Sequence, residues 1–266
     1  MLPLVCLDVD GTLVGSAGAP SDRLWAAADR ARARRQHLTL CTARVALGPT
    51  REWAERLDPD GFHIFHTGAT LWRPATGEVV AHPLTDQAVD AAARIAAERA
   101  WVFEVYTFDD WAVDSDAPLA LAHADLLGLA HERRRIDSLD GPVVRVQWVI
   151  PISDLADALR LAPEGCTASG ATSPAMPGAA FVSVTDATVS KAAGVTEVAG
   201  HLGVSMDAVM MVGDGHNDLS AMAVVGWPVA IGDADPDVVA AARIVVAAVD
   251  DDGAAEAIDK SEELTA

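Results

Sequence analysis

The chain is poor in cysteine and in basic residues, and it has no long apolar run; each shortage removes a class of protein. Three cysteines in 266 residues, none in a metal-ligand spacing, are poor material for a disulfide framework or a structural zinc site. Nineteen Lys and Arg against 39 Asp and Glu leave a net charge of −20. Binding to a nucleic-acid backbone is driven largely by Lys and Arg, so no nucleic-acid partner is expected. A compact anionic ligand is still allowed, because it needs only a few local donors and a metal ion. The one basic cluster, Arg30 to Arg35, is interleaved with alanine and reads as a solvated helix face. No window of about 18 uninterrupted apolar residues is present, and from Met1 the chain runs into a strand without a basic region and cleavable apolar segment. These features lead us to expect a cytoplasmic protein with no membrane partner, a monomer or homodimer.

What is present centres on Leu4 to Leu13, which reads Leu-Val-Cys-Leu-Asp-Val-Asp-Gly-Thr-Leu. Four apolar residues suit a strand buried on both faces, and the run stops at two carboxylates, Asp8 and Asp10. In an open α/β sheet the C-terminal edge of the strands is where ligands bind. Gly11 permits the backbone turn that lets both acids serve one site. A calcium loop begins the same way, but its third acidic ligand and distal Glu are absent here.

Downstream, Leu24 to Arg35 is expected to be a helix and His37 to Cys41 a strand. Strand, helix and strand make a βαβ unit and predict a parallel sheet. The second strand ends in Thr42-Ala43-Arg44, at the same edge as Asp8. From about Leu71 the texture changes to a mixture of hairpins and helices, suggesting an inserted α+β domain. Its tryptophans, Trp72, Trp101, Trp111 and Trp148, read as core packing. The βα rhythm resumes with a helix from Ser190 to Leu202 carrying Lys191. The strand Ala208 to Val212 follows, leading into Gly213-Asp214-Gly215-His216-Asn217-Asp218. The expected organisation is a doubly wound core of residues 1–71 and 186–266 around an insert of residues 72–185.

Phosphoryl transfer requires an in-line nucleophile, neutralisation of the non-bridging oxygens and a proton for the leaving group. A carboxylate can attack phosphorus, and a second, protonated, can supply the proton. Acids at a neighbouring strand end suit magnesium, which prefers hard oxygen ligands. Taken singly, Thr42 reads as a helix cap and Lys191 as a solvated charge.

Together, Asp8-Val9-Asp10-Gly11-Thr12, Thr42, Lys191 and Gly213 to Asp218 resemble the four ordered motifs of the haloacid dehalogenase (HAD) superfamily of phosphohydrolases. The insert is similar to the C2 cap of the Cof-like sugar-phosphatase branch. The resemblance implies a Rossmann-like HAD core and a Mg2+-dependent phosphatase acting on a small-molecule phosphate ester, a sugar phosphate by the branch it resembles, through an aspartyl-phosphate. In that scheme Asp8 is the nucleophile and Asp10 the acid/base. The metal goes to Asp8, the Asp10 carbonyl and Asp214, with Asp218 supporting or ligating. Thr42, Arg44, Lys191 and Asn217 are the substrate-binding set. Two departures stand out: Thr42-Ala43-Arg44 replaces the commoner Thr-Gly-Arg, and His66-Thr67-Gly68-Ala69 stands where many relatives have Asn-Gly-Ala. A phosphomutase remains an alternative and would need cap arginines such as Arg133, Arg134, Arg135 and Arg145 to grip a second phosphate. A catalytically silent metal-dependent binding protein is the third reading.

Overall fold

In the computed structural model, which describes residues 1–173 and 175–265, the apolar run Leu4–Leu7 is a strand with every residue fully buried. It pairs in parallel with His37–Leu40 on one side and Val209–Gly213 on the other. Trp227–Ala230 and Ile244–Val245 extend the sheet in parallel beyond Val209–Gly213, giving five strands. Helices cover both faces, which is why the central strands carry no polar alternation. The helix Lys191–Leu202 brings Val195, Val198 and Ala199 onto Leu4, Cys6, Val209 and Met211. The helices Asp22–Ala33 and Gly253–Ser261 pack together and against the sheet. A truncation such as Leu7→Ala in this packed layer would cost about 2–5 kcal/mol.

The chain divides into two compact units: Met1–Val80 together with the segment from Ser190 onward, and Ala81–Val189. These divisions fall later than the sequence texture suggested. Leu71 lies inside the strand Thr70–Arg73, which pairs antiparallel with His63–Phe65. Glu78–Ala81 joins the same three-stranded sheet, so the first unit continues to Val80. Asp186 is still the end of a strand, paired with Cys166, so the second unit runs on to Val189.

The second unit is a five-stranded sheet in the order Trp111–Val113, Val102–Tyr106, Arg145–Pro151, Ala179–Asp186 and Cys166–Ala171, antiparallel throughout. The helix Asp86–Arg99 lays Ala88, Ala92 and Ala96 against it, small side chains that let helix and sheet approach closely. Trp101 and Trp148 fill that core. Their indole N–H groups donate to Asp154 Oδ2 at 2.9 Å and to the Ala92 carbonyl at 3.1 Å, as buried indoles require. Among the described residues no helix is long and apolar enough to cross a membrane.

Candidate active site

Asp8 continues the strand ladder by one bond, its N–H donating to the Val212 carbonyl at 3.0 Å. The chain then turns sharply, with the Val9 carbonyl accepting from the N–H groups of Leu13 and Val14 at 3.0 and 2.9 Å. Gly11 takes φ +79°, and a Cβ at that position would overlap the Asp214 carboxylate. Glycine therefore does two things here: it allows the left-handed turn, and it lets the loop after the first strand touch the loop after Val209–Gly213. Beside it, the Thr12 hydroxyl donates to Asp214 Oδ1 at 2.9 Å. In the sequence Thr12 stands within the Asp8 motif with nothing to mark its partner. The only available signal was a hydroxyl one residue beyond the obligatory turn.

Lys191 is the first residue of its helix because Ser190 caps the end, its Oγ accepting from Ala193 N–H at 3.0 Å. A cation at a helix N-terminus is disfavoured by the helix dipole, and Lys191 is completely buried. Two carboxylates compensate: its Nζ lies 2.6 Å from Asp8 Oδ1 and 2.6 Å from Asp218 Oδ1. The isolated reading of Lys191 as a solvated charge is thus overturned. The other oxygen of Asp218, Oδ2, accepts from the backbone N–H groups of Asp214 and Gly215, both at 3.1 Å. A side chain at Gly213 would collide with this carboxylate.

Asp8, Asp214 and Asp218 present one oxygen each within 4.8 Å of one another. Burial pushes the Asp8 carboxyl up to about 7; Lys191 opposes this, while Asp218 and Asp214 add to it. Asp214 is pushed up to about 6, by burial first, with the Thr12 hydroxyl opposing and Asp218 adding. Burial works against the charge on Lys191, yet Asp8 and Asp218 raise its ammonium above its ordinary value. Three acids and one lysine leave a deficit of positive charge that a hard divalent cation fits. Asp218 also holds neighbouring elements in place, its Oδ1 meeting Lys191 and its Oδ2 accepting from two backbone N–H groups. Asp8 and Asp214 each have one oxygen engaged, by Lys191 and Thr12 respectively, and each keeps further carboxylate lone pairs for a cation.

Thr42 follows the strand His37–Leu40 and is buried. It is not a helix cap. Its Oγ1 accepts from Arg44 N–H at 3.1 Å, so its own proton is free to point at an anion. Arg44 does not stand alone as a phosphate donor: Nε lies 2.9 Å from Asp10 Oδ2, and Nη2 lies 2.5 Å from Asp10 Oδ1. Asn217 is exposed on the turn His216–Asp218. His66 is buried with φ +50°, its N–H donating to the Arg44 carbonyl at 3.0 Å. Thr67 follows at φ +62° and donates to the Thr42 carbonyl at 2.9 Å. Two successive residues with Cβ atoms in left-handed conformations cost of order 1–3 kcal/mol each, and these backbone bonds to the Thr42 loop offset part of that strain.

In the second unit, the arginines that a mutase would require are engaged. Arg133 pairs with Asp114, Arg134 bidentately with Asp110, and Arg135 with Asp137. Arg145 is buried over the Tyr106 ring.

The chain is similar to known proteins over most of its length. The family profile described as haloacid dehalogenase-like hydrolase matches residues 5–258. Over 77 residues the chain is 34% identical to a phosphoglycolate phosphatase of Methanothermobacter thermautotrophicus, a stretch that is 29% of this chain and 35% of that protein. The chain thus spans about a third of the length of the curated relatives it matches. Among solved structures, a haloacid dehalogenase-like hydrolase from Bacteroides thetaiotaomicron superposes with a TM-score of 0.84 at 23% identity, over 98% of this chain and 99% of that one. The HAD subclass IIB sugar phosphatase BT4131 gives 0.81 at 23% identity, again over 98% and 99%.

Proposed function

The chain belongs to the haloacid dehalogenase-like hydrolases, and we propose that within that family it is a Mg2+-dependent phosphatase. Its substrate is a small phosphorylated metabolite of the sugar-phosphate class, hydrolysed through an aspartyl-phosphate on Asp8. One observation carries this reading: Asp8 is a buried carboxylate at the C-terminal edge of a parallel sheet, with one oxygen held by Lys191.

In the first half-reaction the Asp8 carboxylate attacks phosphorus as the ester P–O bond breaks, and Asp10 gives its proton to the departing alkoxide. In the second, Asp10 takes a proton from water, whose oxygen attacks phosphorus, releasing phosphate and restoring Asp8. The Thr42 hydroxyl, the Lys191 ammonium and the Asn217 amide neutralise and orient the phosphoryl oxygens. Magnesium, when bound, would neutralise further charge on the phosphoryl group. Asp8, the Asp10 carbonyl and Asp214 would hold it, and Asp218 would fix Lys191 and the Asp214 loop.

The names of the relatives, a phosphoglycolate phosphatase and a sugar phosphatase, support a small organic phosphate as substrate and the Cof-like branch as the chain's place. Engagement of Arg133, Arg134 and Arg135 with neighbouring carboxylates favours a phosphatase over a mutase. The second unit, which contributes no residue to the phosphoryl-transfer set, is the part that selects the leaving group, and the protein acts in the cytoplasm. The test is a phosphate-release screen over sugar phosphates, nucleotides and cofactor phosphates with magnesium present. Release from at least one ester, stopped by Asp8→Asn, is expected; no release from any of them rejects the reading.

A further inference from the structure

Arg44 and Asp10 form a two-point clasp, with Nε on one carboxylate oxygen at 2.9 Å and Nη2 on the other at 2.5 Å. Parallel N–H···O bonds of this kind fix the plane of a carboxylate as well as its distance. The clasp is itself anchored. Arg44 Nη1 donates to Thr50 Oγ1 at 3.3 Å, the guanidinium carbon lies 5.6 Å from the centre of the Trp53 ring, and Thr50 is buried. At the backbone, Arg44 N–H donates to Thr42 Oγ1 and its carbonyl accepts from His66 N–H. Asp10, by contrast, leaves 65% of its side chain exposed on the turn after the strand. Without Arg44 that carboxylate would be free to change rotamer.

We propose that Arg44 is a positioning residue for Asp10, holding the carboxyl group that serves the leaving oxygen, and is not a direct contact for the substrate phosphate. This rests on the reading of Asp10 as acid/base. Three of the five guanidinium N–H donors are spent on Asp10 and Thr50, including the parallel Nε and Nη2 pair, so a phosphate could take that two-point fork only by displacing Asp10. Nor does the pair serve mainly to hold the fold together. Ion pairs this exposed contribute about 0–1 kcal/mol, and Arg44 variants are therefore expected to fold.

The consequence is a dependence on the leaving group. An alkyl phosphate needs its departing oxygen protonated, whereas p-nitrophenolate leaves unaided. Full-length wild type, Asp10→Asn, Arg44→Ala and Arg44→Lys are compared with magnesium on a sugar phosphate and on p-nitrophenyl phosphate. Asp10→Asn should lose about 100-fold or more in kcat on the sugar phosphate and far less on the aryl ester. Arg44→Ala should reproduce that pattern, lowering the ratio of sugar to aryl kcat by about tenfold or more while both KM values stay within about twofold. Arg44→Lys, which offers a point charge but no fork, should recover only part of the ratio. Equal losses on both esters, a raised KM with unchanged kcat, or an unchanged ratio in Arg44→Ala would each overturn the proposal. Absence of leaving-group selectivity in Asp10→Asn overturns the reading of Asp10, and the proposal with it. Selectivity in Asp10→Asn without selectivity in Arg44→Ala overturns the proposal alone.

Discussion

Lys191 Nζ lies 2.6 Å from Asp218 Oδ1, and neither side chain exposes any surface to solvent. Because Asp218 also receives the N–H groups of Asp214 and Gly215, this pair connects the N-terminus of the helix Lys191–Leu202 to the loop that carries Asp214. The lysine is therefore a structural tie as well as the partner of Asp8.

Lys191→Met should destabilise the protein by about 3–5 kcal/mol, since it leaves two buried carboxylates without their cation. Adding Asp218→Asn to that variant removes one of the stranded charges and should recover part of the loss, without restoring turnover. Denaturant titration of the single and double variants checks this; additive losses would show that the charges are not coupled.

Asp8→Asn should fold and lose more than about 100-fold in turnover, at least about 2.7 kcal/mol of transition-state stabilisation. Steady-state rates on the best ester from the screen decide the point. A variant that keeps more than about a hundredth of the wild-type rate would remove Asp8 from the nucleophile's role.

On the proposed reading, magnesium should raise the melting temperature of the wild type by binding the native cluster of Asp8 and Asp214 and not the unfolded chain. Asp214→Ala should weaken that shift and raise the magnesium concentration needed for half-maximal rate. Gly11→Ala should do the same, since its methyl group would displace the Asp214 carboxylate. Full activity after exhaustive EDTA treatment would contradict the metal requirement.

His63 should make the protein acid-sensitive. Its Nδ1 accepts from Leu40 N–H at 3.1 Å and its Nε2 donates to the Asp58 carbonyl at 2.8 Å, so the ring is neutral and fully buried. Burial lowers its pKa from 6.5 to about 4, with Asp58 opposing. Below pH 6.5 the unfolded chain takes up a proton that the native ring refuses. The stability this group contributes is therefore present above pH 6.5 and lost as pH falls towards 4, about 3 kcal/mol in all. His63→Gln should flatten the fall in unfolding free energy across that window; an unchanged slope would assign the acid sensitivity to other groups.

Some of this was set by local sequence. Four apolar residues ending in Asp8 and Asp10 could be read as a buried strand with acids at its end, because burial on both faces and abrupt polarity are properties of neighbours in the chain. The same holds for Val209–Gly213 leading into Asp214, and for Ser190 capping the helix that begins with Lys191. Other features depended on contacts between residues far apart in sequence. Whether Lys191 is solvated or buried depends on what stands opposite its helix end, and only the register of the parallel sheet brings Asp8 and Asp218 there. The partner of Arg44 is likewise fixed by the pairing of Leu4–Leu7 with His37–Leu40, which sets the two following loops side by side. Asp218, which the family resemblance gave as supporting or ligating a metal, meets the N–H groups of Asp214 and Gly215 only through the turn that folds it back on that loop. Residue types and their order supplied the chemistry; the tertiary structure decided which donor meets which acceptor, because hydrogen bonds and ion pairs form by proximity in space.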